Sequence, residues 1–280
     1  AVSSGAVSYY TIYLVTDENK DQYPELGNNR VGVSMQYVGR EPRFYASVAY
    51  NGSTWYLLNE PNDANKDKQI FYYRGGGNGY TNTMFWLRTG IGVMKFVHPD
   101  DTNRDEKEEY IRKKAEPAIR YAEILLIYAE ALNELTGNYN IASWDEETQY
   151  TIQRNIDEMK KGIQPIRIRA GIPDYTRSEY EDQDLFREKL KRERQIELMG
   201  EGHRYYDIRR WKDAEVEESL PIYGCNTLMT EKWRDVFHVP VAIPSLPTNF
   251  SRKMYFWPIS HSELKRNKML TQNPGWTYND

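Results

Sequence analysis

Apolar positions divide the chain into two kinds of sequence, with the change at about residue 118. After that point apolar residues recur at three- and four-residue intervals, which is typical of helices that bury one face. The clearest stripe runs from Arg120 to Leu135, and Gly137 follows it as a candidate C-terminal cap. Its members are Tyr121, Ile124, Leu125, Tyr128, Ala131, Leu132 and Leu135. We therefore predict a helix that buries this face and ends at Gly137.

Three further helices are predicted in the same part of the chain. One covers about 145–160 and turns Ile152, Ile156 and Met159 inward. The others run from Asp184 to Met199, where two glycines end the pattern, and from His203 to Trp211. The fold class is therefore mainly α. The helix pairs resemble tetratricopeptide-like hairpins, although the period of roughly 34 residues that marks those repeats is not visible.

Before residue 118 the pattern favours short strands and loops. Residues 43–50 and 53–58 flank Asn51-Gly52, the dipeptide most typical of tight hairpin turns, so we predict a β-hairpin here. Residues 70–74 and 93–97 are further candidate strands, and the glycine-rich segment 75–82 between them is predicted to be a flexible polar loop.

The last part of the chain, from Leu220, returns to loops that contain six prolines. We expect aromatic side chains to pin this tail, among them Trp233, Trp257 and Trp276. The predicted organisation is thus an irregular loop and β-hairpin region at 1–117, followed by a helical scaffold with a proline-rich tail at 118–280.

Composition narrows the function classes. The 280 residues include 23 Tyr, 7 Trp and 8 Phe, while only 39% are hydrophobic and the formal charge is −4. This charge argues against nucleic-acid binding, and no apolar run approaches the ~20 residues of a membrane helix. The first ten residues lack the basic and apolar segments of a signal peptide. The high aromatic content is what argues against disorder.

The sequence motifs do not predict a metal or cofactor site. The single cysteine, Cys225, excludes a disulfide framework and a cysteine-based zinc site, and the four histidines are scattered without ligand spacing. The glycines at 75–79 lack the Lys-Ser/Thr ending of a phosphate-binding loop. We therefore expect no cofactor.

Acidic residues on the predicted helices allow two interpretations. Glu193, Glu197 and Glu201 would be acid and base in a glycoside hydrolase, or members of a structural ion network with Arg194, Arg204 and Arg209. Residues four apart point the same way on a helix, whereas a glycosidase needs carboxylates on two sides of the sugar, so we favour the network. For Arg120, Glu123 and Glu130 we likewise favour a paired or solvated face over a metal site.

Aromatic residues on the loops between 50 and 90 are the candidate ligand site. Aromatic faces stack on sugar rings, and neighbouring Asn, Asp and Arg side chains bind hydroxyls. The alternative is a small aromatic core beneath long loops. We assign ligand binding to Trp55, Tyr72, Tyr80 and Trp86.

Four segments, in the same order along the chain, resemble motifs of the SusD/RagB family. Residues 117–133 resemble its R-x-A-E-x-x-L-x-x-A-E-A-x-N helix, and residues 192–211 resemble E-R-x-x-E-L-x-x-E-G-x-R-x-x-D-L-x-R. Residues 41–52 resemble D-P-R-F-Y…Y-N-G, and residues 255–276 resemble P-I-P-x-x-E-x-x-x-N…Q-N-P-G-W/Y, with Ser260 in place of the second proline. Together the motifs span residues 41–276.

This resemblance implies a surface-exposed lipoprotein of the outer membrane in Bacteroidetes-type bacteria. Such proteins capture oligosaccharides or polysaccharides and pass them to a SusC-like TonB-dependent transporter, and they are binding proteins, not enzymes. Their fold is largely α-helical, with tetratricopeptide-like helix pairs that carry long irregular loops and small β-hairpins. The alternatives are a RagB-like member that captures peptides or proteins, a glycoside hydrolase, and a helical scaffold without a small ligand.

The resemblance also implies that this chain is the C-terminal part of a longer domain. Family members begin with a lipidated cysteine and a helical half, and no cysteine stands near the start of this chain. We therefore expect an apolar surface that further helices or a second chain would cover. The shared motifs identify the scaffold and not the ligand, so the four aromatic candidates rest on loop position and residue type.

Overall fold

The computed structural model describes residues 14–58, 60, 62–103, 109–115, 117–230, 236–244, 246 and 248–277, which leaves Trp233 and the first ten residues outside it. Its helices are α1 (Pro42–Ser47), α2 (Asp63–Lys66), α3 (Tyr121–Asn133), α4 (Ile156–Arg169), α5 (Arg177–Glu181), α6 (Gln183–Glu197), α7 (His203–Arg210), α8 (Ala214–Glu217) and α9 (His261–Arg266).

The strands are short and pair only in twos. They are β1 (Val48–Tyr50), β2 (Thr54–Tyr56), β3 (Asp67–Gln69), β4 (Ile91–Val93), β5 (Thr102–Asn103), β6 (Glu109–Tyr110), β7 (Tyr139–Ala142), β8 (Gln149–Ile152), β9 (Tyr223–Gly224) and β10 (Val241–Ala242). The antiparallel pairs are β1–β4, β2–β3, β5–β6, β7–β8 and β9–β10. The described part of the chain is mainly α with small β-sheets, which confirms the predicted fold class.

The helical core lies where α3 packs between α4 and α6. Its members are Ala122, Leu126, Ala129, Leu132, Met159, Ile163, Ile166, Tyr180, Phe186, Leu190 and Leu198. Gly162 sets the spacing of α3 and α4, because a Cβ there would lie 2.5 Å from the Leu125 carbonyl oxygen and 2.9 Å from the Ala129 Cβ. The two helices therefore touch almost backbone to backbone.

The apolar stripe predicted for α3 is only partly buried: Leu132 lies in the core, Leu125 and Leu135 pack against it, and the other four members are exposed. Tyr121 is 75% exposed and Ile124 48%, whereas Leu126 and Ala129 are fully buried. The helix is apolar nearly all round, so periodicity does not define one face, and the small alanines mark the side that α4 approaches closely. The helix also ends at Asn133 with Glu134 as its cap, before Gly137. The exposed part of the stripe is an apolar surface of the kind the resemblance implied.

The second predicted helix begins later than expected. Most of residues 145–152 form the turn and second strand of the β7–β8 hairpin, in which Tyr139 pairs with Ile152. Helix α4 starts only after Asn155, whose side-chain oxygen accepts a hydrogen bond from the Glu158 backbone N–H at 3.1 Å. Met159 does point inward, as predicted. Helices α6 and α7 agree with the two remaining predictions to within two residues.

The predicted hairpin at Asn51-Gly52 does not form. Residues 42–47 are helical, with Pro42 at the first helical position, and β1 and β2 pair with β4 and β3 instead of with each other. The turn itself exists, since the Ser53 N–H donates to the Tyr50 carbonyl at 2.9 Å, and Gly52 has φ 86°. Asn51 keeps a negative φ, unlike a type I′ hairpin turn, so the flanking strands diverge.

The other two candidate strands are displaced. Strand β3 ends at Gln69, because the Tyr72 N–H donates to the Asn51 side chain at 2.8 Å in place of a neighbouring strand. Strand β4 covers Ile91–Val93, and the residues after it turn, with the Val97 N–H bonded to the Met94 carbonyl. Only the first residue of the predicted segment 93–97 is therefore in a strand.

One tail tryptophan is pinned as predicted and another is not. The Trp276 indole N–H donates to the Lys253 and Phe256 carbonyls at 3.0 and 2.9 Å. Trp257 is 75% exposed and packs little, so its predicted role was wrong. Phe237 and Phe250 are buried aromatic residues of this region.

Candidate functional site

The four candidate aromatic residues lie in two grooves on either side of the glycine loop, residues 75–79. This loop is tightly folded, since the Asn78 N–H donates to the Phe71 carbonyl at 3.1 Å. A Cβ at Gly76 would lie 2.5 Å from that carbonyl oxygen, and one at Gly79 would lie 2.0 Å from the Tyr73 carbonyl oxygen. The loop that the sequence predicted to be flexible is therefore packed against its own flanks.

The Trp55 groove lies on one side and has a volume of about 420 Å³. Trp55 belongs to β2 and stands opposite Lys68 of β3. Tyr72 is only 9% exposed and is part of the buried cluster beneath the loops, so it forms part of the floor of the groove. Burial raises the pKa of Tyr72 to about 12, so its hydroxyl is neutral. The full lining is Trp55, Leu57, Glu60, Lys68, Ile70, Tyr72, Gly77 and Asn78.

The Trp86 groove lies on the other side, with a volume of about 430 Å³. Tyr80 and Trp86 meet edge to face there, and the Arg74 guanidinium lies 5.5 Å from the centre of the Tyr80 ring. Arg74 is held by its backbone N–H, which donates to the Met229 carbonyl at 2.7 Å. The full lining is Arg74, Tyr80, Thr83, Trp86, Arg88 and Leu228.

Both grooves combine aromatic surface with hydrogen-bonding side chains. This is the chemistry that binds a polar ring, because the ring face stacks on the aromatic residue while hydroxyls bond to amide, carboxylate or guanidinium groups. Arg74, Lys68 and Asn78 were not predicted as groove residues. Arg74 directly follows a pair of tyrosines, and that pattern was the available signal.

The glutamates of α6 are structural. Glu193 and Glu197 are 2% and 4% exposed. Glu193 pairs with Arg43 and Arg167, each at 2.7 Å, and Glu197 accepts from Arg169 at 2.5 Å. Burial opposes charge on Glu197, yet the arginines bonded to it hold the pKa of this carboxyl below its usual range. An ionised, enclosed carboxylate of this kind holds helices together and is poorly suited to donate a proton.

The ion network is confirmed, but the partners predicted for it were wrong. Glu193, Glu197 and Glu201 pair with cations from distant segments, Glu201 with Lys95 and Arg120 at 2.6 Å. The three arginines predicted as partners pair elsewhere: Arg194 with Asp207, Arg204 with Glu217, and Arg209 with Glu218. Arg194 follows Glu193 by one position, and adjacent residues on a helix point in different directions.

The charged residues of the first long helix are also paired, as predicted. Arg120 bonds to Glu197 at 3.1 Å, and Glu130 accepts from Arg210 and from the Trp211 indole. Within the described residues no group of three or more His, Cys, Asp or Glu side chains is arranged to hold a metal ion. No helix in that part of the chain is long and apolar enough to cross a membrane.

Comparison with known proteins agrees with this architecture. A family model described as the SusD family matches residues 6–276. SusD-like protein P2 of Formosa agariphila is 31% identical over 162 residues, which is 56% of this chain and 25% of that protein. Among solved structures, BT4246 superposes with a TM-score of 0.71 at 23% identity, over 94% of this chain and 42% of the solved one.

A SusD-like protein of Bacteroides fragilis NCTC 9343 gives a TM-score of 0.63 at 26% identity, over 86% of this chain and 40% of that structure. The chain thus spans a quarter of the curated relative and about two fifths of these solved chains. Since the family model covers nearly the whole sequence and the fold agrees over the same range, the chain belongs to the SusD family.

Proposed function

We propose that the protein is a cell-surface glycan-binding protein that captures oligosaccharides and delivers them to a SusC-like TonB-dependent outer-membrane transporter. Proteins of the SusD family bind glycans in general and are generally non-catalytic. The observation that carries the proposal for this chain is the Trp86 groove, where two aromatic rings and two arginines surround a space of about 430 Å³. Trp55, Tyr72, Tyr80 and Trp86 are the proposed contact residues.

The shape of the loops supports capture rather than turnover. The glycine loop beside both grooves is packed against its own flanks, so little conformational entropy is lost there on binding. Sugar stacking on one or two half-buried aromatic rings gives modest affinity, and we expect dissociation constants in the micromolar range or weaker. Such affinity suits a protein that must release its ligand to a transporter.

A peptide ligand is the second candidate, because of two exposed apolar side chains beside the Trp86 groove. Met84 is 81% exposed and Phe85 70%. Both are carried on a turn whose backbone N–H groups donate to the Asn82 side chain at 2.8 and 3.1 Å. Apolar side chains on an ordered turn would suit a RagB-like member that captures peptides or proteins.

The experiment is a calorimetric titration of the protein with a panel of neutral and acidic oligosaccharides and with peptide mixtures. We expect heat of binding with at least one oligosaccharide and no release of reducing sugar on long incubation. Binding of peptides alone would favour the RagB-like alternative, sugar release that is lost in Glu193→Gln would favour a hydrolase, and an inert panel would refute the proposal.

We further propose that the protein works at the outer face of the outer membrane, as a lipoprotein. Antibody labelling of intact cells, and co-purification of the complete protein with a TonB-dependent transporter, test this part. Failure of the transporter to co-purify under conditions that retain the lipoprotein would contradict it.

A further inference from the structure

A third groove, the tail groove, lies between the α7–α8 turn and the C-terminal loops. Its volume is about 690 Å³, within the range of roughly 300–1,000 Å³ that small-molecule sites occupy. The lining is Lys212, Glu215, Arg252, Lys253, Tyr255, Phe256, Pro274 and Gly275, none of which lines the Trp55 or Trp86 groove. It is therefore a separate site.

The charge of the tail groove is opposite to that of the chain as a whole. Three cationic side chains line it against one carboxylate, whereas the net charge of the protein is −4. Nearby acidic residues are engaged elsewhere: Asp213 with Lys191, Glu217 with Arg204, and Glu218 with Arg209. Among the described residues no carboxylate forms an ion pair with Lys212 or Arg252.

Aromatic rings hold two of these cations. The Lys212 Nζ lies 4.1 Å from the centre of the Tyr255 ring, and the Lys253 Nζ lies 4.2 Å from the centre of the Trp276 ring. The ring face of Tyr255 attracts the Lys212 ammonium without cancelling its charge, so the positive potential of Lys212 remains available to a ligand. Phe256 adds apolar surface at the rim and is 58% exposed.

The walls of the tail groove are formed in advance. The Trp276 indole is bonded to the backbone of residues 253 and 256. The Pro274-Gly275 turn is closed by the Trp276 N–H, which donates to the Asn273 carbonyl at 3.1 Å, and Gly275 has φ 85°. A Cβ at Gly275 would lie 2.8 Å from the Lys253 Cβ, so the turn and the cationic wall are in direct contact.

One strained backbone position lies at this groove. Lys212 has φ 66°, a left-handed conformation that a side chain with a Cβ adopts at an energetic cost. Strain of this kind persists where the surrounding structure enforces it, often at binding sites. At Lys212 the strained conformation places the side chain on the wall of the tail groove, although glycine or asparagine would adopt this backbone conformation at lower cost.

We propose that the tail groove binds an anionic sugar residue, a ring that carries a carboxylate or a sulfate ester. Arg252 and Lys212 pair with the anionic group, because a guanidinium binds carboxylate and sulfate oxygens in pairs and an ammonium adds a point charge. The ring lies against Phe256. The inference rests on the proposed function only in that it takes the ligand to be a glycan. It adds that this glycan is acidic.

The test compares each acidic ligand with its neutral form. The probes are a trigalacturonate and its methyl ester, a sulfated galacto-oligosaccharide and its desulfated form, and inorganic sulfate. We expect at least one acidic form to bind about tenfold more tightly than its neutral form, with the difference shrinking at high salt. Equal affinity for acidic and neutral forms of both ligands would overturn the proposal, as would competition by inorganic sulfate at the same concentration as the sugar.

Two variants test whether the preference for acidic sugars arises in the tail groove. Arg252→Gln is expected to remove most of the preference for the acidic form, and Lys212→Gly is expected to weaken it while relaxing the strained turn, so that its loss of binding does not reflect unfolding. Lys265→Gln, an exposed lysine of α9 outside the groove, is the control with the same change in charge. A preference that survives in both groove variants, or that falls equally in the control, would contradict the assignment.

The same titrations separate this inference from the proposed function. The proposed function stands and this inference fails if neutral sugars bind, Trp86→Ala abolishes that binding, and acidic sugars bind no more tightly than neutral ones. If Trp86→Ala leaves binding unchanged and Arg252→Gln removes it, the tail groove stands and the assignment of capture to the aromatic loops fails.

Discussion

Trp86 lies edge to face against Tyr80, with ring centroids 5.4 Å apart and ring planes at 80°. The positive edge of one ring points at the negative face of the other, which is a favoured arrangement for aromatic pairs. Each ring fixes the orientation of its neighbour, and Arg74 contacts Tyr80 as well. Removal of one ring therefore loosens the other.

The first prediction concerns this pair. Trp86→Ala is expected to weaken oligosaccharide binding about tenfold or more, because it removes a stacking face and frees Tyr80. Calorimetric titration measures the change. Trp144→Ala is the matched control, since Trp144 is 95% exposed on the β7–β8 turn and lines neither groove. Equal affinities of Trp86→Ala and the unchanged protein would exclude the Trp86 groove as the site.

The second prediction concerns the contact between α3 and α4. Gly162→Ala is expected to lower the free energy of unfolding by about 3 kcal/mol, because the new Cβ meets the Leu125 carbonyl in a packed interface. Gly137→Ala is the control, since a Cβ there meets nothing within 4 Å, and its effect should stay within about 0.5 kcal/mol. Denaturation in guanidinium chloride gives both values, and similar stabilities of the two variants would refute the close contact.

The third prediction concerns the buried carboxylate of Glu197. Glu197→Gln keeps the shape of the side chain and removes the charge that Arg43, Arg120 and Arg169 share. Breaking a buried ion pair typically costs about 3–5 kcal/mol, so we expect a loss of that order in denaturant unfolding. Glu263→Gln is the control at an exposed pair. A loss of less than about 1 kcal/mol for Glu197→Gln would mean that the network contributes little.

The fourth prediction is a pH dependence from His238. This side chain is 6% exposed, and burial lowers its pKa from 6.5 to about 4. Between these values the unfolded chain binds a proton and the folded one does not, so stability is fully present above about 6.5 and falls as the pH drops towards 4. The loss amounts to roughly 3 kcal/mol across the window.

His238→Gln tests this directly, because glutamine does not titrate and can still bond to Gln36, whose Nε2 lies 2.9 Å from the His238 ring nitrogen. We expect the variant to show a shallower fall in stability between pH 6.5 and 4 by denaturant unfolding. Identical slopes for the two proteins would show that His238 is not the titrating group.

Local patterns predicted those elements whose ends are marked in the sequence. Helices α6 and α7 were placed to within two residues because glycines with positive φ separate them. The buried face of α3 was only partly predicted, since a helix with apolar residues on all sides gives no direction. The buried side of α3 is set by its contact with Gly162 of α4. The sequence of α3 alone does not contain that information.

The same limit applies to pairing across the chain. Asn51-Gly52 was correctly recognised as a turn, but the strands pair with residues 11 to 45 positions away, at β3 and β4. Likewise the α6 glutamates were recognised as ionic anchors, while their partners come from α1, α4 and the residue before α3.

The sequence predicted which types of residue form the candidate site but not how these residues are arranged. Loop position and residue type selected the four aromatic residues, yet nothing local indicates that the glycine loop separates Trp55 from Trp86. The tail groove was missed because its cations, Lys212 and Arg252, are forty positions apart and meet only in the fold.

Arg43 links the loop region to the helical scaffold through a single guanidinium that contacts both Glu193 and Glu197. If the loop region came away, Glu193 and Glu197 of α6 would each lose one of their arginine partners. Melting of one region therefore drives melting of the other, and the two parts that the sequence pattern distinguishes behave as one cooperative unit.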